Sequence, residues 1–154
     1  MDGRVININP LLRFILVNFI IVPIRSFSSS KIYKQVWDKD TGSPLLHNTQ
    51  KLTEKLRDKL TDYDVEFAMR YQNPSIESVI NKMLSKNPDE LIILPLFPHY
   101  AAATTGSVYE EISRIIQKKW VVPKITFINQ FYDNQKFIDA WAEKANKFNI
   151  QEYD

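Results

Sequence analysis

One nearly unbroken apolar segment constrains the fold of this chain most strongly. Residues 90–97, Glu-Leu-Ile-Ile-Leu-Pro-Leu-Phe, carry no charged side chain after the first position. A short run of this kind is typical of a parallel β-strand that is covered on both faces. Because parallel strands need a crossover connection, which is usually a helix, the segment predicts an α/β fold.

Four other segments carry helix start signals. In each, a small polar residue precedes apolar residues at helical spacing. These starts are Ser43-Pro44, Asn73-Pro74, Ser107-Val-Tyr-Glu110 and Asn134. Proline after the cap and glutamate three residues later are both favoured at a helix N terminus. After Ser107 the predicted core-facing stripe is Ile112, Ile115, Ile116 and Trp120.

Two further extended runs, residues 65–71 and 125–132, separate these helices. The alternation predicts an open parallel sheet of three strands flanked by helices, a Rossmann-type half built from right-handed βαβ units. Three strands make a thin sheet, and the N-terminal part offers a helix where a first strand is expected. We therefore expect a sheet that is incomplete at both ends.

The composition excludes several classes of function. The chain has 20 basic and 18 acidic residues, three glycines and no cysteine. Balanced charge without a run of like charges gives no footprint for nucleic acid or for a polybasic membrane anchor. Without cysteine there is no disulfide module, thiolate zinc site or cysteine-ligated cluster. Three scattered glycines cannot form a dinucleotide fingerprint or a P-loop, so a nucleotide-dependent enzyme is not expected.

The apolar run at residues 14–24 has the length of the apolar region of a signal peptide, but it is too short to span a bilayer. Asn18 and Pro23 interrupt it, Arg25 follows at once, and no Ala-x-Ala cleavage pattern is present. We therefore expect a buried or lipid-facing helix rather than an export signal.

The stretch 94–107 is the most informative for chemistry. It leaves the buried strand at Pro98 and reaches a predicted helix start at Ser107. Ligands of open α/β sheets bind outside the carboxyl ends of strands, and a helix N terminus offers N–H groups to an anion. His99 is therefore a candidate site residue. A strand end followed by helix caps and a surface histidine explains the same pattern.

A second candidate lies where the 65–71 run ends. Arg70 supplies a fixed cation, and Tyr71 supplies an aromatic face or a hydroxyl, just before Asn73-Pro74. The alternative is an ordinary ion pair at the rim, which contributes at most about 1 kcal/mol when exposed.

Four motifs in this order resemble the ferrochelatase family, whose members complete haem synthesis. They are Arg25…Ser30-x-x-Tyr33-x-x-x-Trp37, Gly42-Ser43-Pro44-Leu45, Ala68-Met-Arg-Tyr71-x-Asn73-Pro74-Ser75-Ile76-Glu77 and Leu94-Pro-Leu-Phe-Pro-His-Tyr100…Thr104-Thr-Gly-Ser107. The third is typical of bacterial members. The resemblance implies two similar chelatase-like α/β halves with a porphyrin cleft between them. It predicts that residues 1–42 form the apolar helical lip and loop of the cleft, and that residues 43–154 form the first half without its first strand.

The resemblance implies a lyase that inserts Fe²⁺ into protoporphyrin IX, with iron as a substrate and no bound prosthetic group. Animal members place a cluster cysteine where this chain has Ala102, so no iron–sulfur cluster is expected. The family's metal-binding histidine and its glutamate partner match no residue here, and His99 is not their equivalent. We expect both to lie beyond Asp154, the histidine on the next strand and the glutamate in a missing second half, and we expect this chain alone to be inactive.

The resemblance also marks positions around the bound tetrapyrrole, which Arg25, Tyr33 and Ser43 match. The full set of expected porphyrin-binding residues is Arg25, Tyr33, Ser43, Arg70, Tyr71, His99 and Tyr100. No catalytic or metal residue is expected in the chain. A purely structural role is the alternative for the first three: a solvated charge for Arg25, packing on Trp37 for Tyr33, and a helix cap for Ser43.

Two alternatives stay open on the sequence. The substrate could be coproporphyrin III, or the chain could be a non-catalytic module that binds a tetrapyrrole or a partner protein. We expect a cytoplasmic location, with peripheral membrane contact through residues 11–24 as an option, and no nucleic-acid partner.

Overall fold

The computed structural model describes residues 8–148, without the side chains of Pro10, Arg13 and residues 24–29. The described chain forms two compact units, one up to Lys86 and one from Asn87. The helices are α1 (Pro10–Ile15), α2 (Val22–Val36), α3 (Pro44–Lys59), α4 (Ile76–Leu84), α5 (Ser107–Ile116) and α6 (Gln135–Ala145). The strands are β1 (Glu90–Ile93) and β2 (Lys124–Phe127), and π-helical turns span Leu16–Ile21 and Ala102–Gly106.

The first unit begins with a helical segment that runs without a break from residue 10 to residue 36. The predicted helix at residues 14–24 is confirmed. Pro23 has no N–H to donate, and the hydrogen-bond pattern changes from π to α just before it. Asn18 donates its side-chain amide to the carbonyl of Phe14 at 2.8 Å. Among the described side chains of this segment Val17 is buried, whereas most of the other apolar ones are exposed.

Helix α3 begins where the sequence predicts. Ser43 has extended backbone angles, its Oγ accepts the N–H of Leu46 at 3.5 Å, and Pro44 takes the first helical position. The predicted core stripe of α3 is only partly covered, because Leu45, Leu52 and Leu60 are exposed. The buried side chain on this helix is Thr53, whose hydroxyl donates to the carbonyl of Thr49.

Helix α4 begins two residues later than predicted, and its N-cap is Ser75 rather than Asn73. Ser75 Oγ accepts the N–H of Ser78 at 3.1 Å. The carbonyl of Pro74 accepts the N–H of Met69 at 2.7 Å, so Pro74 takes part in a turn and not in the helix. The stripe of the predicted helix is confirmed, since Ile76, Val79 and Ile80 are buried.

The predicted strand at residues 65–71 is wrong for the described chain. Its backbone forms one isolated parallel bridge, from Met69 to Ser75, and joins no sheet. The carbonyl of Val65 is taken by Arg57 Nε at 2.8 Å. Backbone groups of residues 65–71 are therefore hydrogen-bonded to a side chain and to the turn at Pro74. The described sheet has two strands instead of the predicted three.

Charged side chains tie this segment to the helices on either side of it in the chain. Glu66 pairs with Arg57 of α3 at 3.0 Å and with Lys82 of α4. Asp64 pairs with Lys86, and this hydrogen bond lowers the pKa of the Asp64 carboxyl. These contacts connect the segment to α3 and to the C-terminal end of α4.

The second unit is a βαβ unit. Strands β1 and β2 pair in parallel, with Leu91 opposite Ile125 and Ile93 opposite Phe127, and α5 lies between them in the chain. Both strands are shorter than the predicted runs, because Pro95 and Pro98 cannot donate to a ladder beyond β1. Leu91, Ile112 and Ile115 are buried and form the core of this unit.

The start of α5 differs from the predicted capping box. Ser107 has helical angles (φ −66°, ψ −39°), so it lies inside the helical path and cannot be its N-cap. The path begins after Ala101, which is extended (φ −142°, ψ 148°), and passes through the turn Ala102–Gly106. Thr105 in this turn is fully buried, and its hydroxyl has no hydrogen-bond partner in the described chain.

The end of α5 also corrects a prediction. The helix ends at Ile116, so Trp120 does not continue the buried stripe of Ile112 and Ile115. Helix α6 agrees with the sequence, since Asn134 caps it by accepting the N–H of Lys136 at 3.1 Å. Within residues 8–148, none of the helices combines the length and apolar character that a membrane span requires.

Candidate functional site

Tyr33 lies near the end of α2 and is 66% exposed. Its exposure does not fit the alternative of core packing on Trp37. The indole of Trp37 lies against Gly42 instead, since a Cβ placed on Gly42 would be 3.6 Å from its Cζ2 atom. The phenol of Tyr33 is therefore accessible to a ligand.

The loop between α2 and α3 is held by backbone and carboxylate hydrogen bonds. Asp38 and Gly42 exchange two backbone hydrogen bonds of 3.0 Å, and Gly42 adopts φ +74°, which favours glycine. Asp38 Oδ1 accepts the N–H groups of Thr41 at 2.7 Å and Asp40 at 2.9 Å. The Thr41 N–H is the largest cause of the lowered pKa of the Asp38 carboxyl. The loop therefore fixes where Ser43 begins α3.

Ser43 is a half-buried residue at the N terminus of α3, where backbone N–H groups have no helical acceptor. Pro44 lacks an N–H, so the Ser43 hydroxyl and the N–H of Leu45 are the donors at this end. The bond from Leu46 to Ser43 Oγ is long, at 3.5 Å. The predicted helix cap is confirmed, and the same donors could bind a carboxylate, which the helix dipole also favours.

Arg70 and Tyr71 form a cation–π pair. The guanidinium carbon of Arg70 lies 4.8 Å from the centroid of the Tyr71 ring, and the ring is exposed. At an exposed site such a contact contributes about 0.5–1 kcal/mol. It presents a positive charge beside an aromatic face, which suits a flat ligand with acidic groups.

In the second unit, the segments that follow β1 and β2 are joined. The carbonyl of Pro98 accepts the N–H groups of Phe131 at 3.0 Å and Tyr132 at 3.1 Å. The His99 ring stacks on the Tyr132 ring, with centroids 4.9 Å apart and planes inclined by 12°. The two strand exits therefore form one aromatic surface at the carboxyl end of the sheet.

Tyr132 is a candidate that the sequence reasoning missed. It ends the predicted strand run 125–132, so it stands at a strand exit as His99 does. That position is the signal that could have identified it. Tyr100, next to His99, is exposed and outside this stack.

The predicted residues are distributed over the two units. Tyr33 and Ser43 flank the loop of the first unit, Arg70 stacks on Tyr71, and His99 and Tyr100 are neighbours in the second unit. Arg25 lies on α2, two helical turns before Tyr33, and its side chain is outside the described residues. Within the described chain, no cluster of three histidine, aspartate or glutamate side chains could hold a metal ion.

These features define a class: a helix-rich α/β protein with a small parallel sheet and with exposed aromatic side chains. The ferrochelatase family model matches residues 1–153. The chain belongs to the ferrochelatase family, as the four sequence motifs indicated.

Two relatives show the extent of the similarity. The chain is 45% identical over 147 residues to the ferrochelatase of Francisella tularensis subsp. holarctica (strain OSU18). The values are the same for the ferrochelatase of F. tularensis subsp. novicida (strain U112). Each alignment covers 95% of this chain and 44% of the relative. The chain therefore spans less than half the length of the relatives it matches.

Proposed function

We propose that this chain forms the porphyrin-binding half of a ferrochelatase, a lyase that inserts Fe²⁺ into protoporphyrin IX in haem biosynthesis. The observation that carries the proposal is the family match over residues 1–153, with 45% identity over 95% of the chain. Because the match covers 44% of the relatives, the proposal assigns the catalytic groups to the part of the enzyme outside this chain.

A porphyrin is a broad apolar disc with propionate groups at its rim, so its site needs aromatic walls and rim donors. In the proposal, Tyr33 and Tyr71 supply aromatic faces in the first unit, and His99 and Tyr100 supply rings in the second. Their exposure supports this assignment, because a buried ring could not reach a ligand.

The propionates would be bound by cations and donors. Arg70 is held over Tyr71, and Ser43 offers its hydroxyl beside the N terminus of α3. Arg25 would add a second cation. Charge-assisted hydrogen bonds of this kind are about twice as strong as neutral ones, which favours an acidic ligand over a neutral one of the same shape.

Iron is a substrate in this proposal, and the protein is proposed to hold no prosthetic group and no iron–sulfur cluster. Insertion requires groups that take up two pyrrole protons. The chain has no residues that match the family's metal-binding histidine and glutamate, so we expect no catalysis by this chain alone. Haem formation by the purified chain above the uncatalysed rate would contradict that expectation.

The proposal includes a cytoplasmic location with peripheral membrane contact through residues 11–24. What supports the contact is the exposure of apolar side chains there, among them Leu11, Phe14 and Phe19. Exposed apolar surface of this extent marks a site of contact with a ligand, a partner or a lipid surface.

Titration of the chain with protoporphyrin IX tests the proposed site, with the Soret band as the readout. Tyr33→Ala is expected to weaken binding about tenfold, because it removes an aromatic wall. Tyr63→Ala is the matched control, since Tyr63 is an equally exposed tyrosine of the first unit that is not among the site residues. Arg70→Ala should weaken binding by a similar factor.

Equal losses for Tyr33→Ala and Tyr63→Ala would contradict the site assignment. A chain that binds neither protoporphyrin IX nor coproporphyrin III would contradict the proposed function and favour a partner-binding module. Tighter binding of coproporphyrin III would change the proposed substrate but not the proposed site residues.

A further inference from the structure

The loop between α5 and β2 presents an apolar tip. Trp120 is 103% exposed and Val121 is 83% exposed, so neither side chain is covered by the part of the chain that the structure describes. Tryptophan is on average a largely buried residue, and two adjacent uncovered apolar side chains mark a contact surface.

The tip has excess positive charge on its N-terminal side. Residues 117–124, Gln-Lys-Lys-Trp-Val-Val-Pro-Lys, contain no acidic residue. Lys118 and Lys119 are exposed and form no ion pair within the described chain. Lys124 pairs with Glu90 at 3.0 Å, which leaves the first two lysines as the excess charge of the loop. Asp89, whose carbonyl accepts the Lys124 N–H at 3.2 Å, adds one nearby negative charge.

We propose that residues 118–122 form a membrane-contact tip that inserts Trp120 into the interface of an anionic lipid bilayer. Tryptophan prefers the interface between headgroups and acyl chains, where its apolar ring and polar N–H are both satisfied. Lysines beside it are attracted to anionic headgroups. Two lysines are not a polybasic anchor, so the contact depends on Trp120 as well as on charge.

The position of the tip is compatible with ligand binding in the same unit. The loop enters β2 at Lys124, opposite Glu90, at the amino ends of both strands. His99 and Tyr132 follow the carboxyl ends, on the other side of strands roughly 13 Å long. A bilayer bound at the tip would therefore leave the aromatic surface free. This contact is separate from residues 11–24 and does not depend on the proposed function.

Flotation of the full 154-residue chain with lipid vesicles tests the proposal. Vesicles of phosphatidylcholine with about 30 mol% phosphatidylglycerol, a composition chosen to give an anionic surface, are compared with phosphatidylcholine alone. We expect binding to the anionic vesicles and a blue shift of tryptophan emission. Trp120→Ser should weaken binding about tenfold or more, because the buried area of one aromatic ring is lost.

Two controls keep the result specific. Trp141→Ser is the matched variant, since Trp141 is another exposed tryptophan of the second unit, and it should retain binding within about twofold. Lys118→Gln with Lys119→Gln should weaken binding to anionic vesicles at least about tenfold, at about fivefold per lysine. Circular dichroism checks that each variant folds as the parent does.

The proposal is overturned if the chain binds neither vesicle, or if Trp120→Ser and Trp141→Ser lose binding equally. It is also overturned if Trp120 emission is already blue-shifted without lipid, because a protein surface then covers the tip. Loss of porphyrin binding in any variant would bear on the proposed function and not on this contact.

Discussion

The βαβ unit and the N-terminal helical segment differ in how much of their apolar surface is buried. In the second unit, Leu91 on β1 is 2% exposed, and Ile112 and Ile115 of α5 are buried as well. In the first unit, the helical segment from residue 10 to residue 36 leaves most of its described apolar side chains exposed. A βαβ unit brings its own crossover helix to cover a strand, whereas a long helix without such a partner keeps its apolar face open. Within the first unit, the buried stripe lies instead on α4, at Ile76, Val79 and Ile80.

The largest expected effect compares two leucines of opposite exposure. Leu91→Ala should lower the free energy of unfolding by about 2–5 kcal/mol, because it opens a cavity in the core of the second unit. Leu45→Ala removes the same atoms from a side chain that is 66% exposed and should change it by less than about 0.5 kcal/mol. Urea denaturation followed by circular dichroism measures both. Similar losses for the two variants would mean that the first unit has a covered core at Leu45.

The next effect tests how firmly the first unit holds its α2–α3 loop. Gly42→Ala should cost about 1–2 kcal/mol, because φ +74° is unfavourable for a residue with a Cβ. The Cβ itself would make an ordinary contact with Trp37 at 3.6 Å, so the backbone angle decides the result. Gly42→Asn is the control, since asparagine tolerates this conformation better, and it should lose less. An unchanged unfolding midpoint for Gly42→Ala would show a mobile loop.

A smaller effect separates the observed cap of α4 from the predicted one. Ser75→Ala should cost about 1 kcal/mol, because it leaves the N–H of Ser78 without its acceptor. Asn73→Ala should cost less than about 0.5 kcal/mol, since Asn73 lies outside the helix. Thermal unfolding of the two variants is sufficient to rank them. The reverse ranking would restore Asn73 as the cap.

The smallest expected effect is a loss of folding stability at acidic pH. The pKa of Glu90 in the second unit is lowered, first by the Thr126 hydroxyl and then by Lys124. The pKa values of Asp38 and Asp64 in the first unit are lowered by the Thr41 N–H and by Lys86. Carboxyls with lowered folded-state pKa values stabilise the fold above the usual values near about 4, and the contribution is lost as the pH falls through the lowered pKa.

The thermal unfolding midpoint should therefore decrease as the pH is lowered from about 5 to about 3. Because Asp38 and Asp64 are exposed and Glu90 is only partly covered, we expect a shallow slope. Glu90→Gln should flatten the slope for the second unit and Asp38→Asn for the first. A midpoint that rises on acidification would contradict the sign of these shifts.

The sequence predicted best what short-range chemistry decides. The caps at Ser43 and Asn134, the position of strand β1 and the family follow from local patterns that the structure or the comparisons confirm. The predicted cover on both faces of that strand is wrong for the described chain, because Leu91 is buried whereas Ile92 is 45% exposed. Errors arose where a backbone group found a partner that the pattern cannot show. The Met69 N–H donates a hydrogen bond to the Pro74 carbonyl, so Pro74 lies in a turn and α4 begins later than predicted. A π turn placed Ser107 inside the helical path.

The candidate site was predicted to a similar degree. Exposure of Tyr33 and the pairing of Arg70 with Tyr71 agree with ligand-facing roles, but these roles remain a proposal. The stack of His99 on Tyr132 joins residues far apart in the sequence, so no local pattern could reveal it. The domain boundary predicted at residue 42 also stays a prediction.

The two-stranded sheet has a consequence for hydrogen exchange. Along β2, the N–H groups of Lys124 and Ile128 donate to the carbonyls of Asp89 and Ile93. Those of Ile125 and Phe127 point to the opposite edge, because amides alternate along a strand. Deuterium uptake should therefore alternate between successive residues of the strand. If another strand paired with this edge, deuterium exchange at the amides of Ile125 and Phe127 would become slow. The paired residues could then be identified one by one.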